Sequence, residues 1–173
     1  MNSNIALIAF IEIASSLSMG LFILWLTYRG FQLFGKRYFK MKAETNVSYS
    51  IVMASVLLSV GYSMSSVIQP LVSSFRLLSN TSESASSLAL SFILHGSLYI
   101  GIAYLASITI TVLGILIYTN LTPLKEFEEI QANNIGVAIV VSSIVITLSL
   151  ISHSGVELLL ESIVPYPTAA TIN

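Results

Sequence analysis

The sequence predicts an all-helical membrane protein with four transmembrane helices, built from two tandem parallel two-helix repeats. Three observations lead to this fold class. Of the 173 residues, 55% are hydrophobic and only 9% are charged, whereas about a quarter of the residues in a soluble domain are charged. Four apolar runs are each long enough to cross a bilayer, which takes about 20 residues of α-helix. The second half of the chain also repeats the pattern of the first half.

The four predicted spans cover residues 5–27, 47–71, 88–118 and 135–160. A transmembrane β-strand has about 10 residues with alternating polarity, and these runs are much longer and do not alternate. The first run resembles a signal peptide in length, but no basic side chain precedes it and a basic cluster follows it. This order is typical of an uncleaved anchor with its N-terminus outside.

The basic residues predict the orientation of the spans. Positive charge is retained on the cytoplasmic side of a bilayer, and the second connection holds only Arg76. The other Lys and Arg residues lie in the first connection, except for one in the third connection: Arg29, Lys36, Arg37, Lys40, Lys42 and Lys125. We therefore expect both termini outside and the first and third connections in the cytoplasm.

An internal repeat appears when the chain is shifted by 88 residues against itself. Seven of the 34 positions in residues 33–66 are then identical to their partners, without a gap, and Phe39/Phe127 and Asn46/Asn134 are the informative pairs. Two helices per repeat give both halves the same direction, with any symmetry axis along the membrane normal. The predicted units are residues 1–87 and residues 88–173, the latter with a short outer tail.

Each half contains an entry helix, a charged connection and an Asn that opens a helix rich in small residues. The two openings are Glu44-Thr45-Asn46-Val47-Ser48-Tyr49-Ser50-Ile51 and Asn133-Asn134-Ile135-Gly136-Val137-Ala138-Ile139. This arrangement resembles the YjfL-like family of small bacterial inner-membrane proteins, domain of unknown function 350. The resemblance implies a multi-pass bacterial inner-membrane protein found in membrane-stress and flotillin-like gene settings. It implies no reaction and no catalytic residue.

Four ionisable residues form a candidate polar site towards the outer side of the predicted bundle. They are Glu12 in the first span, His95 in the third, and His153 and Glu157 in the fourth. An unpaired charge inside a membrane is costly, so Glu12 could pair with His153, and His95 with Glu157. Three interpretations stay open: side chains that reach the interface, a polar cluster that fixes the packing, or a proton or cation site. Their spacing is not that of a zinc site.

The two cytoplasmic connections differ in charge. The first interleaves aromatic residues with Arg29, Lys36, Arg37, Lys40 and Lys42, which suits either a topology signal or contact with anionic lipid. The third is acidic, and Thr122-Pro123 before it predicts a helix cap followed by proline at the first helical position. Small residues four apart, such as Ser55, Ser59 and Ser63, predict close helix packing or, alternatively, a polar path.

The remaining composition argues against several classes of function. A net charge of −1 does not suit nucleic-acid binding. No cysteine or aspartate is present, and no phosphate loop or HExxH motif is found. We therefore expect no cofactor, no metal and no enzymatic activity. The sequence favours a structural or accessory protein that assembles with itself or with a membrane partner, and the alternative is a small ion or proton conduit.

Overall fold

In a computed structural model, which describes residues 3–39, 45–68, 70–71, 85–123 and 125–163, all regular structure is helical. Helix α1 (Ser3–Phe34) continues into a π-helical turn (Gly35–Phe39). Helix α2 (Val47–Met64) ends in a 3-10 turn (Ser65–Val67). Helix α3 (Ala85–Leu121), the short α4 (Glu126–Gln131) and α5 (Ile135–Ile163) complete the described fold.

Three helical segments are long and apolar enough to cross a membrane: Val47–Val67, Ile93–Leu121 and Ile135–Ile163. The prediction of an all-helical membrane fold is thus confirmed. The predicted span at residues 5–27 lies within α1. Many of its side chains are outside the described residues, so this span stays a prediction. Helix α1 extends beyond the predicted span to Phe34, so Arg29 lies in the part of the helix that leads into the first connection. No proline interrupts that stretch, and the helix extends beyond the apolar run.

Helix α2 is the central helix of the bundle. Its most hydrophobic stretch is 56% buried, against 22% for α3 and 28% for α5, and it contacts α1, α3 and, most extensively, α5. Buried residues of several helices meet in the main core: Ile23, Val56, Val60, Met64, Val67, Tyr99, Ala103, Val145, Val156 and Leu160. Helices α3 and α5 leave most of their surface open to lipid or to other proteins.

Helices α2 and α5 run parallel and in register. The backbone N–H of Ser48 bonds to Asn133 at one end, and the hydroxyl of Ser66 lies 3.1 Å from Nε2 of His153 at the other. These partners are 85 and 87 residues apart, and such a nearly constant separation requires parallel helices. The segments that precede α2 and α5 therefore lie at the same end of the bundle.

Serine hydroxyls hold the middle of this helix pair together. The hydroxyl of Ser149 donates to the carbonyl of Ser59 at 3.0 Å and lies 3.2 Å from the hydroxyl of Ser63. All three residues are buried. Apolar surface gains little by associating in lipid, so small residues and interhelical hydrogen bonds stabilise such contacts. This is the packing role predicted for the serine spacing.

Glycine also allows close packing of α3 against α5. A Cβ atom at Gly114 would lie 2.5 Å from Cδ1 of Leu148, whereas a Cβ at Gly101 would meet nothing within 4 Å. The Leu148 contact is the far end of a flexible side chain, which can rotate away. We expect Gly114→Ala to lower the free energy of unfolding in detergent by less than about 1 kcal/mol relative to Gly101→Ala. A loss of unfolding free energy above about 2 kcal/mol would mean that the Leu148 side chain cannot rotate away from the added methyl group.

Candidate functional site

The two asparagines of the repeat motif occupy equivalent structural positions. Oδ1 of Asn46 accepts a hydrogen bond from the backbone N–H of Tyr49 at 2.8 Å. Oδ1 of Asn134 accepts one from the N–H of Val137 at 3.3 Å. Each asparagine therefore caps the first turn of its helix, α2 or α5, which is a role that asparagine performs well.

Asn46 has a second role that Asn134 does not share. Its Nδ2 donates to the carbonyl of Ile130 at 2.8 Å and to that of Gln131 at 3.2 Å, at the C-terminal end of α4. In addition, Oδ1 of Asn133 accepts from the N–H of Ser48 at 3.0 Å. The connection before α5 is therefore bonded directly to the start of α2.

The geometry of this connection depends on Asn133. Its φ of 65° is left-handed, a conformation that asparagine tolerates better than most residues. The N–H of Asn133 bonds to the carbonyl of Ile130, and the N–H of Asn134 to that of Glu129. These two bonds form a Schellman motif that ends α4. The change of chain direction at this motif places Oδ1 of Asn133 within hydrogen-bond distance of the backbone N–H of Ser48.

Tyr49 fixes the end of α1 at the same side of the bundle. Its hydroxyl donates to the carbonyl of Phe31 at 2.6 Å, and its ring stacks on the Phe31 ring with centroids 5.3 Å apart. The π-helical turn begins at Gly35, which lies directly against the tyrosine ring. A side chain that inserts into the hydrogen-bond ladder is a known cause of such a turn. Tyr49 therefore joins α1 to the start of α2.

Glu126 is the one buried carboxylate among the described side chains. It is 1% exposed, and its Oε1 accepts a short hydrogen bond from the hydroxyl of Thr122. The other oxygen, Oε2, has no hydrogen-bond partner among the described residues. The predicted Thr122-Pro123 cap is wrong, because α4 begins at Glu126 and the Thr122 hydroxyl binds the Glu126 carboxylate instead.

A cavity of about 170 Å³ lies beside Glu126, bounded by all five helices. Its surface is almost entirely apolar, and it is lined by Phe31, Phe34, Tyr49, Val52, Val112, Ile115, Leu116, Thr119, Glu126, Phe127, Ile130 and Val141. The sequence interpretation missed this site, because Glu126 reads as part of a solvated acidic run. The useful signal was the spacing of Phe127 and Ile130, which is that of an apolar helix face.

His153 lies at the opposite end of the α2–α5 contact. Its Nε2 is 3.2 Å from the hydroxyl of Ser65 and 3.1 Å from that of Ser66. Its ring packs against Tyr62 with centroids 4.4 Å apart. His153 is thus half-buried and bound to α2.

The structure does not join the other members of the predicted polar site. The side chain of Glu12 lies outside the described residues, so its pairing with His153 stays a prediction. His95 is exposed on α3, and its Nδ1 lies 2.7 Å from the carbonyl of Ser91 on its own helix. Glu157 is half-buried on α5. Within the described residues no ion pair links His95 to Glu157.

The basic side chains of the first connection lie at the surface where they are described. Arg29, Lys36 and Arg37 are exposed, and Lys40 and Lys42 lie outside the described residues. On the acidic side, Nζ of Lys125 pairs with Glu128 at 3.0 Å, and Asn134 donates to Glu129 at 2.8 Å. Among the described residues, no three His or Glu side chains lie close enough together to hold a metal ion.

The second half of the chain matches a known protein family. Residues 91–164 match the model of the family described as Domain of Unknown Function (DUF350). The match covers most of α3, α4 and α5, and over these residues it confirms the family resemblance drawn from the sequence. The resemblance of residues 1–90 and the YjfL-like name stay predictions. No curated protein and no solved structure matches the chain.

Proposed function

We propose that this chain, which carries a DUF350 match over residues 91–164, is a structural or accessory membrane protein with four spans. It assembles with itself or with a membrane partner, and membrane-stress and flotillin-like proteins are the partners that the family resemblance favours. The bacterial inner membrane is its proposed location, with both termini outside. It has no enzymatic role in this proposal.

The duplicated organisation is supported by contacts between the two halves. Asn46 and Asn134 cap equivalent helices, and the hydrogen bond between Ser65 and His153 joins residues 88 apart, which is the offset of the repeat. Side chains at equivalent positions meet only near a symmetry axis. The axis of the proposed repeat therefore passes between α2 and α5.

The observation that carries the structural role is the use of polar groups at the α2–α5 contact. The Ser149 hydroxyl bonds to Ser59 and Ser63, and His153 bonds to Ser65 and Ser66. These groups bind one another across the helix contact, as packing in lipid requires. The low burial of α3 and α5 leaves room for a second copy or a partner in the membrane.

The exposed basic residues support a membrane-surface role for the end of α1. Arg29, Lys36 and Arg37 are free of ion pairs with the described acidic residues. Cations at this position are attracted to anionic headgroups. We propose that they, with Lys40 and Lys42, set the orientation and contact anionic lipid.

Cysteine labelling tests the proposed topology. Cysteines introduced at Ser3 and Ser82 should react with an impermeant thiol reagent in intact cells. One at Ala132, which is exposed beside α4, should react only after the membrane is opened. The reverse pattern would overturn the proposed orientation. Labelling of the cysteines at Ala132 and Ser82 from the same side would contradict the single span proposed between them.

The mass of the particle extracted in lipid nanodiscs tests the assembly. We expect a multiple of the 18.7 kDa chain or a fixed complex with a copurifying membrane protein. A bare monomer at every protein concentration would contradict the accessory role.

A small ion or proton conduit is the second candidate function. The placement of His153 favours it, since this ionisable side chain is hydrogen-bonded to the hydroxyls of Ser65 and Ser66 in the bundle. Proteoliposomes loaded with a pH-sensitive dye separate the two functions. The structural proposal expects no protein-dependent proton flux. A flux that is abolished by His153→Gln and kept by the exposed control His95→Gln would replace it with the conduit.

A further inference from the structure

We propose that the cavity beside Glu126 holds a segment of one acyl chain of an anionic phospholipid, whose headgroup lies at Lys36 and Arg37. The wall of the cavity is almost wholly apolar, although Tyr49 and Thr119 contribute to it. It therefore offers a guest dispersion contacts and no hydrogen bond, which suits a hydrocarbon chain and excludes a polar group. The chain site depends on the contact with anionic lipid that is proposed above for the cations at the end of α1.

The cavity opens to the surface between α1 and α3. It is partly open, and three of its lining residues are also nearly half exposed: Phe34 on α1, and Val112 and Leu116 on α3. The lining also includes Val52 and Val141, which are buried. A chain that enters past the three exposed residues therefore meets side chains that lipid outside the bundle does not reach.

Two cations lie next to this opening. Lys36 and Arg37 follow Phe34 by two and three residues in the π-helical turn, which is within about one turn of helix. Both are exposed and form no ion pair with the described acidic residues. The acidic side chains of Glu128 and Glu129 are bonded elsewhere. Charge complementarity at the opening therefore favours an anionic headgroup over a neutral one.

The volume limits how much of the chain enters. An apolar cavity of about 150 Å³ is known to hold benzene, and this cavity measures about 170 Å³, so it takes a segment of about six carbons. Because the opening lies next to the cations, this segment is in the upper half of the chain. The bilayer is as apolar as the cavity, so the gain comes from contacts that an empty cavity lacks, and the headgroup decides which lipid binds.

Photocrosslinking of the full-length protein in phosphatidylcholine nanodiscs tests the proposal. The probe is phosphatidylglycerol with a diazirine in the upper half of one acyl chain, and mass spectrometry locates the label. We expect label on the buried Val52 or Val141, at least about threefold above that from the same probe with a phosphocholine headgroup. Label confined to exposed residues such as Leu105 would overturn the proposal. A second copy of the chain seated on the opening would give that result.

A substitution that fills the cavity locates the chain. Val52→Phe should remove the label from Val141, whereas Leu105→Phe adds the same ring at an exposed position on α3 and should leave the label unchanged. Circular dichroism and gel filtration identify folded variants. Unchanged label on Val141 in folded Val52→Phe would overturn the proposal, and the wild-type result decides by itself if this variant does not fold.

A charge variant locates the headgroup. Replacing Lys36 and Arg37 together by glutamine should lower the preference for phosphatidylglycerol at least about threefold. Lys125→Gln is the control, because this cation is already paired with Glu128, and it should keep the preference. An unchanged preference in the double variant would overturn the placement of the headgroup.

Failure of the chain site differs from failure of the proposed lipid contact. If the two headgroups label the wild-type protein equally at every position, both are wrong. If phosphatidylglycerol is preferred at exposed residues while Val52 and Val141 stay unlabelled, the cations still contact anionic lipid and only the chain site is overturned.

Discussion

Replacing Asn46 by alanine is expected to lower the free energy of unfolding by about 2–3 kcal/mol. The cap on α2 contributes about 1 kcal/mol. Loss of Nδ2 also removes its hydrogen bonds to the carbonyls of Ile130 and Gln131, and each such bond contributes about 0.5–1.5 kcal/mol. Asn46 is only 8% exposed, so water does not readily replace the lost bonds. Reversible unfolding in mixed micelles, followed by circular dichroism, measures the difference.

Asn134→Ala is the matched control for this substitution. Asn134 caps α5 and bonds to Glu129, but it is exposed, so water can take over both roles. We expect a cost of about 1 kcal/mol or less. Asn46→Asp separates the two contributions, because aspartate still caps α2 but cannot donate to Ile130. If Asn46→Asp were as stable as the wild type, the bond between the halves would be unimportant.

A methyl group at Gly35 is expected to be the most damaging of the small substitutions. A Cβ there would lie 2.2 Å from the hydroxyl oxygen of Tyr49 and 2.5 Å from Cζ. The ring cannot move freely, since it is 3% exposed, stacked on Phe31 and bonded to the Phe31 carbonyl. We expect Gly35→Ala to cost about 2–4 kcal/mol, from overpacking and the loss of that hydrogen bond.

Gly30→Ala is the control on the same helix, because a Cβ there meets nothing within 4 Å. It should be neutral, or stabilising by up to about 1 kcal/mol, since alanine is the better helix former. In a Tyr49→Leu background, the loss of unfolding free energy caused by Gly35→Ala should be smaller by about 1–2 kcal/mol, because the two residues are in contact. Equal costs in both backgrounds would mean that the ring is not the obstacle.

The sequence by itself determined the class of fold and the residues at which α2 and α5 begin. Long, mostly apolar runs leave the backbone no option in lipid but the helix, and α2 and α5 begin at residue 47 and residue 135 as the pattern predicts. The 88-residue repeat also drew attention to Asn46 and Asn134, and both proved to be caps. Local chemistry was sufficient here, because a cap depends only on the next three residues.

Tertiary structure decided which of the polar residues are buried and what they contact. Nothing local distinguishes Glu126 from Glu128 in an acidic run, yet one is 1% exposed and the other pairs with Lys125 at the surface. The same holds for Asn46, whose donors reach residues 84 and 85 positions away. Such contacts depend on how five helices pack, because burial is set by neighbours that are distant in sequence, and the cavity beside Glu126 exists only in that packing.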